Sequence, residues 1–216
     1  LNALQAKLAA SETSTLYTPT EFDHYIHSVA DAVNTCLAPA GWAELHYSFA
    51  QETLVARHAQ YGTLPVELLS DGIRNMLCMV ADIAFRATKL NPQLGAAAAK
   101  TTPGVVLIDE VDMHLHPEWQ QSVLGSLTQA FPQVQFIVTT HSPQILSSVD
   151  MRSSRVLHHI ISPETAQHAT VVRHVTQQTR GVSSADVLAQ IMGIDPIPNV
   201  PEAKQLQTYH ALIQQN

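Results

Sequence analysis

Val105, Val106, Leu107 and Ile108 run straight into two adjacent acids, Asp109 and Glu110. A short, continuous run of branched apolar residues fits a strand buried on both faces of a parallel sheet. In open α/β sheets, ligands bind at the C-terminal ends of such strands. The run therefore demands a layered α/β fold with two carboxylates at its ligand edge.

The flanking pattern agrees with that demand. His116-Pro117 opens a helix through Trp119, Val123, Leu124, Leu127 and Phe131. Val134 to Thr139 reads as the next strand, and Ser142-Pro143 caps a short helix over Ile145 and Leu146. Val156 to Ile161 and Thr170 to Val175 read as third and fourth strands. Short strands alternating with helices predict a parallel sheet with βα crossovers.

Upstream, apolar residues from Phe22 to Leu37 recur at helical spacing, with Thr18 as cap and Pro19 in the first turn. Residues 43–49 and 53–58 alternate as a hairpin should. Ser70 opens a long helix whose apolar stripe is Ile73, Met76, Leu77, Val80 and Ile83. Residues 91–104 form an Ala-rich connector, with 95–100 expected to be a mobile loop. The tail holds two helices, one capped by Ser183 or Ser184 and one carrying Leu206, Tyr209 and Leu212. Three segments result: 1–63, 64–175 and a helical tail at 176–216.

Composition limits what the chain does. A net charge of -7 with 11 Lys and Arg argues against a broad DNA-binding face on this chain alone. Cys36 and Cys78 lie far apart in apolar surroundings and read as buried free thiols, which fits a cytoplasmic protein. No window has the length and hydropathy of a membrane span. The chain starts at Leu1 rather than Met, and residues 1–10 suit the tail of a helix. The expectation is a piece of a longer protein.

Several residues carry chemistry. A carboxylate at a strand end, here Asp109, holds Mg²⁺ beside phosphate oxygens, largely through waters. Glu110 next to it is placed to orient and deprotonate a water. His141, at the end of the next strand in Thr139-Thr140-His141-Ser142-Pro143, can bond a terminal phosphate or a lytic water. Ser70 and Gly72 start a helix whose free N–H groups suit a phosphate, and Gly72 permits close backbone approach. Other readings stay open. Asp112, His114 and His116 alternate and could hold a transition metal, although Pro117 spoils regular strand geometry. Asp109, Glu110 and Asp112 could bind Mg²⁺ for a nuclease, but Ser70 and His141 then have no role.

Taken together and in this order, the motifs resemble the C-terminal lobe of an ABC-type ATPase head. The nearest branch is the soluble one of SMC-like repair and phage-defence ATPases. The resemblance implies that the strand and Asp109 form a Walker B motif and that Glu110 is the catalytic glutamate. It implies a signature motif at Leu69-Ser70-Asp71-Gly72, followed by Arg74. Asp112 to Pro117, with His116, matches a D-loop, and His141 a switch histidine. The likeness covers residues 64–161 firmly and the tail loosely. It implies ATP and Mg²⁺ as ligands and a second head as partner, in a homodimer or higher homo-oligomer. Each head then sends its signature motif to the other's γ-phosphate. It also suggests a separate nuclease partner, with nucleic acid bound only in the assembly.

One part of the family pattern is missing. None of the glycines at 41, 62, 72, 95, 104, 125, 181 and 193 is followed by Lys-Ser or Lys-Thr, so no phosphate loop is present. An N-terminal lobe carrying that Walker A loop is therefore an implied partner. The competing reading is a truncated ATPase-like scaffold that binds partners without catalysis. On the ATPase reading, the purified chain alone hydrolyses ATP negligibly in a phosphate-release assay. Robust turnover that disappears in Glu110→Gln would overturn this expectation.

Overall fold

The computed structural model describes residues 21–161 and 168–214. The expected cap at Thr18 and Pro19, and the start of the chain, lie outside these residues. The chain forms two compact units. One includes residues up to Ile108 together with Gly125–Val138, and the other consists of Asp109–Leu124 and residues from Thr139 onward.

The first unit is organised around two helices, α1 (Glu21–Leu37) and α2 (Asp71–Leu90). They pack together. Ala32, Val33, Cys36 and Leu37 of α1 are buried, as are Met76, Leu77, Val80 and Ala84 of α2. The spacing of these residues is why each segment is a helix: one stripe goes inside and the charged face stays wet. Between them lies an antiparallel sheet of β1 (Trp42–Ser48), β2 (Thr53–His58) and β3 (Gly62–Pro65). The hairpin expected from alternation is thus present, with a third strand added. The turn into β1 needs Gly41, whose φ is +78°. A Cβ there would also meet His58 Nε2 at 2.5 Å. Glycine meets both constraints at once.

The Ala-rich connector is not a loose loop. It forms a 3₁₀ segment (Pro92–Ala97) and a helical turn, α3 (Ala98–Thr101). Ala98 and Ala99 are buried, and the Ala99 N–H donates to the buried Ser28 Oγ at 3.1 Å. Alanines let the turn approach α1 closely, which composition alone does not reveal.

Strands β4 (Gly104–Ile108) and β5 (Val134–Val138) pair in parallel, from Gly104↔Val134 to Ile108↔Val138. The expected helix between them divides into α4 (Pro117–Gln120) and α5 (Val123–Ala130). At the break, Ser122 turns both its N–H and its hydroxyl to the Trp119 carbonyl, each at 3.0 Å. Burial of the sheet on both faces does not hold in this chain. Register places Val105 and Leu107 on the same face as Gln135 and Ile137. Val105, Leu107 and Ile137 are 61%, 74% and 53% exposed. On the opposite face Val106, Ile108, Phe136 and Val138 are half-buried, and Phe136 meets buried Phe131 of the preceding segment.

The second unit contains α4, α6 (Pro143–Leu146), β6 (Arg155–Ile161), β7 (His168–His174), α7 (Ser184–Gln190) and α8 (Pro201–Gln214). The third and fourth expected strands form, but they pair with each other antiparallel. Val175, Val187 and Ile191 make a small core, against which Leu146, Met151, Val156, Val182 and Met192 pack. Ser183 is the cap of α7, accepting the Asp186 N–H at 3.2 Å. No helix among the described residues is long and apolar enough to cross a membrane.

Two measurements check this packing. Leu127 is fully buried, so Leu127→Ala costs about 2–5 kcal/mol in urea unfolding. Leu107→Ala removes an exposed side chain and shifts stability by only about 0.5 kcal/mol. Equal losses would mean that the β4 face is covered in the isolated chain. Burial pushes the Cys36 thiol up to about 12, whereas Cys78, expected from sequence to be buried too, lies on the exposed side of α2. A thiol reagent at pH 8 is therefore expected to label Cys78 in the folded chain and Cys36 only after unfolding. Equal labelling rates would contradict the fold.

Candidate functional site

The last rung of the parallel ladder is Ile108↔Val138. The next residues, Asp109 and Thr139, meet through a hydrogen bond. The Thr139 hydroxyl donates to Asp109 Oδ1. That same hydroxyl accepts the Glu110 N–H at 2.8 Å, and the Thr139 carbonyl accepts the Val111 N–H at 3.0 Å. One residue of the second loop thus holds three consecutive residues of the first.

Glu110 needs holding, because its φ is +49°. A non-glycine residue in the left-handed region carries a strain of roughly 1–2 kcal/mol. The chain then makes two tight turns, Met113 N–H to Glu110 carbonyl (2.9 Å) and Leu115 N–H to Asp112 carbonyl (3.0 Å). His114 between them is also left-handed, with φ +62°. Val111 and Leu115 point inward and are buried, which anchors the turns.

Two further links join the same loops. Thr140 donates its hydroxyl to the Asp112 carboxylate at 2.5 Å and accepts the Ser142 N–H at 3.0 Å. Gln120 donates to the Leu115 carbonyl at 3.0 Å and accepts from the Ser142 hydroxyl at 2.7 Å. Ser142 also caps α6, accepting the Ile145 N–H. Thr139, Thr140 and Gln120 were not among the residues singled out from sequence. Two hydroxyls directly before a candidate phosphate-contacting histidine were the available signal.

Asp109, Glu110 and His141 are exposed at this rim. The carboxylate oxygens suit Mg²⁺. An exposed carboxylate at a strand end leaves coordination positions for phosphate oxygens and waters, which this ion favours over a closed protein cage. Among the described residues no group of three or more His, Cys, Asp or Glu is placed to hold a metal by itself. The alternation of Asp112, His114 and His116 therefore does not become a transition-metal site here. His116 has a local task, its Nδ1 accepting the Glu118 N–H at 3.4 Å as the cap of α4.

Ser70, Gly72 and Arg74 belong to the other unit. Ser70 stands at the cap position of α2, but its side chain makes no cap bond. Its hydroxyl is exposed and Gly72 is buried in the first turn. Arg74 pairs with Asp71 and donates to the Glu67 carbonyl at 3.1 Å. Glu67 in turn accepts from the Thr53 hydroxyl at 2.7 Å, which holds its carboxyl below the usual range, with the nearby Arg74 charge adding to the effect.

Comparison with known proteins follows the same segment. Residues 53–147 match a family described as "AAA domain, putative AbiEii toxin, Type IV TA system". The "Retron Ec83 probable ATPase" of Escherichia coli is 41% identical over 128 residues, 59% of this chain and 23% of that protein. "Septu protein PtuA" of Bacillus mycoides is 40% identical over 78 residues, 36% of this chain and 10% of that protein. The matches thus span a quarter or less of these relatives' length. A solved SMC head domain from Pyrococcus yayanosii aligns with a TM-score of 0.47 at 15% identity, over 77% of this chain and 29% of that one. Over residues 53–147 the chain is therefore similar to this AAA-domain family, and in part to the probable ATPase of a retron.

Proposed function

We propose that this chain supplies the catalytic half of an ATP-hydrolysing head that works as a dimer in anti-phage defence. The observation that carries the reading is the rim itself. Asp109 and Glu110 leave a parallel strand and are held by hydrogen bonds to the loop that presents His141. Residues 53–147, which contain all three, match the AAA-domain family, and the chain is similar in part to the probable ATPase of a retron and to a Septu protein.

Each residue then has a task. Asp109 would hold Mg²⁺, which would supply positive charge against the phosphate oxygens. Glu110 orients a water and takes its proton as the oxygen attacks the γ-phosphorus, and ADP departs. His141 donates to the γ-phosphate and keeps the attacking water in line. Positioning and charge neutralisation are most of what phosphoryl transfer asks of a protein. Ser70 and Gly72 bind the γ-phosphate held by a second head, with Arg74 fixing their turn and His116 shaping the loop beside it. The unused Ser70 hydroxyl supports that assignment. So ATP joins two heads, and hydrolysis releases them.

Walker A is supplied by an N-terminal lobe in this proposal. The bare face of Val105, Leu107 and Ile137 supports it, since parallel sheets are ordinarily covered on both faces. A separate nuclease as effector, nucleic acid bound only by the assembly, and a cytoplasmic location complete the reading. DNA repair is a second setting for the same chemistry.

Joining this chain to the phosphate-loop lobe tests the scheme. Glu110→Gln is expected to lower hydrolysis roughly 10²–10⁴-fold while ATP binding persists and a dimer accumulates in light scattering. Ser70→Arg should block that dimer and spare nucleotide binding to the single head. Wild-type turnover in Glu110→Gln removes the glutamate from its role. A complete assembly that binds partners and never hydrolyses ATP favours the scaffold reading.

A further inference from the structure

Thr139 joins both acids of the rim with one hydroxyl, where Thr140 and Ser142 each cross to a single side chain, Asp112 and Gln120. As acceptors, the Ser142 and Ser183 hydroxyls and the Asp150 carboxylate take N–H groups of their own following turns. Such bonds end helices and turns, and any capping residue makes them. The Thr139 hydroxyl instead crosses to residues 30 and 29 positions away, donating to the Asp109 carboxylate and accepting the Glu110 N–H. Its side chain is exposed, so burial does not oblige it to find these partners. The partners are the two residues that a hydrolysis site depends on.

The backbone gives the bond its purpose. Glu110 is left-handed, with φ +49°, and strained residues persist where their surroundings over-determine them. Thr139 supplies that restraint, with its hydroxyl on the Glu110 N–H and its carbonyl on the Val111 N–H. Released, Glu110 could relax to right-handed or extended backbone, and its carboxylate would leave its place. We propose that Thr139 is the positioning residue of this site, its one hydroxyl setting the direction of both the Asp109 carboxylate and the Glu110 backbone. The proposal rests on the ATPase reading for its catalytic consequence and on the loop geometry alone for its structural one.

Thr139→Val keeps the shape and removes the hydroxyl, whereas Thr139→Ser keeps the hydroxyl. Amide exchange by NMR on the chain itself needs no nucleotide. The Glu110 amide is expected to exchange slowly in the unmodified chain, roughly tenfold faster in Thr139→Val, and slowly again in Thr139→Ser. With the phosphate-loop lobe present, Thr139→Val is expected to lower kcat roughly tenfold or more and leave KM for ATP within about twofold. Thr139→Ser restores kcat, which a role in packing would not produce. Free exchange of the Glu110 amide in the unmodified chain overturns the proposal without any variant. So does a wild-type kcat in Thr139→Val when Glu110→Gln is inactive. Normal hydrolysis in Glu110→Gln is a different failure, for it sinks the ATPase reading and the catalytic role of Thr139 together.

Discussion

The hydrogen bonds between two loops, each following a strand of a parallel pair, are what the site depends on. Parallel pairing puts two chain exits on one edge, and Ile108↔Val138 fixes which residues meet there. Neither exit is regular structure. Without Thr139, Thr140 and Gln120 joining them, a loop with Glu110 and His114 both left-handed would have weaker reason to keep that shape. Net gains from such bonds are individually about 1 kcal/mol. Their value here lies in specifying one arrangement of two acids and a histidine.

Strand ends of this kind separate stability from chemistry. Val111, Leu115 and Trp119 are buried and secure the loop, while Asp109, Glu110 and His141 remain exposed. On the proposed ATPase reading, the division would let this edge take up nucleotide without disturbing packed residues. It also explains why α6 can be a single turn. Its task is to end the His141 loop, and Ser142 does so while remaining tied to Gln120.

Much of this was legible in the residues. Val105 to Ile108 is a strand because branched side chains pack well on a pleat, and the acids after it mark its edge. The stripe on α2 and the caps Ser142 and Ser183 are equally local signals. Signals that depend on distant partners were not legible. Nothing in the Ala-rich connector announces that Ala99 bonds Ser28, 71 residues earlier. Strand character in 155–161 and 168–174 does not say that they pair with each other antiparallel. A run of apolar residues does not say whether both faces are covered, and Leu107 is exposed. Thr139 was read as part of a motif, but its partners lie about 30 residues back, and only the fold joins them.

Mn²⁺ in place of Mg²⁺ offers the most direct test that Asp109 and its neighbours form a metal–nucleotide rim. The chain would be isotope-labelled, joined to the phosphate-loop lobe and given ATP, and amide signals followed as Mn²⁺ is added. The account predicts selective broadening at residues 109–112 and 139–141, lost in Asp109→Asn. Broadening elsewhere, or broadening there that Asp109→Asn leaves unchanged, would contradict it.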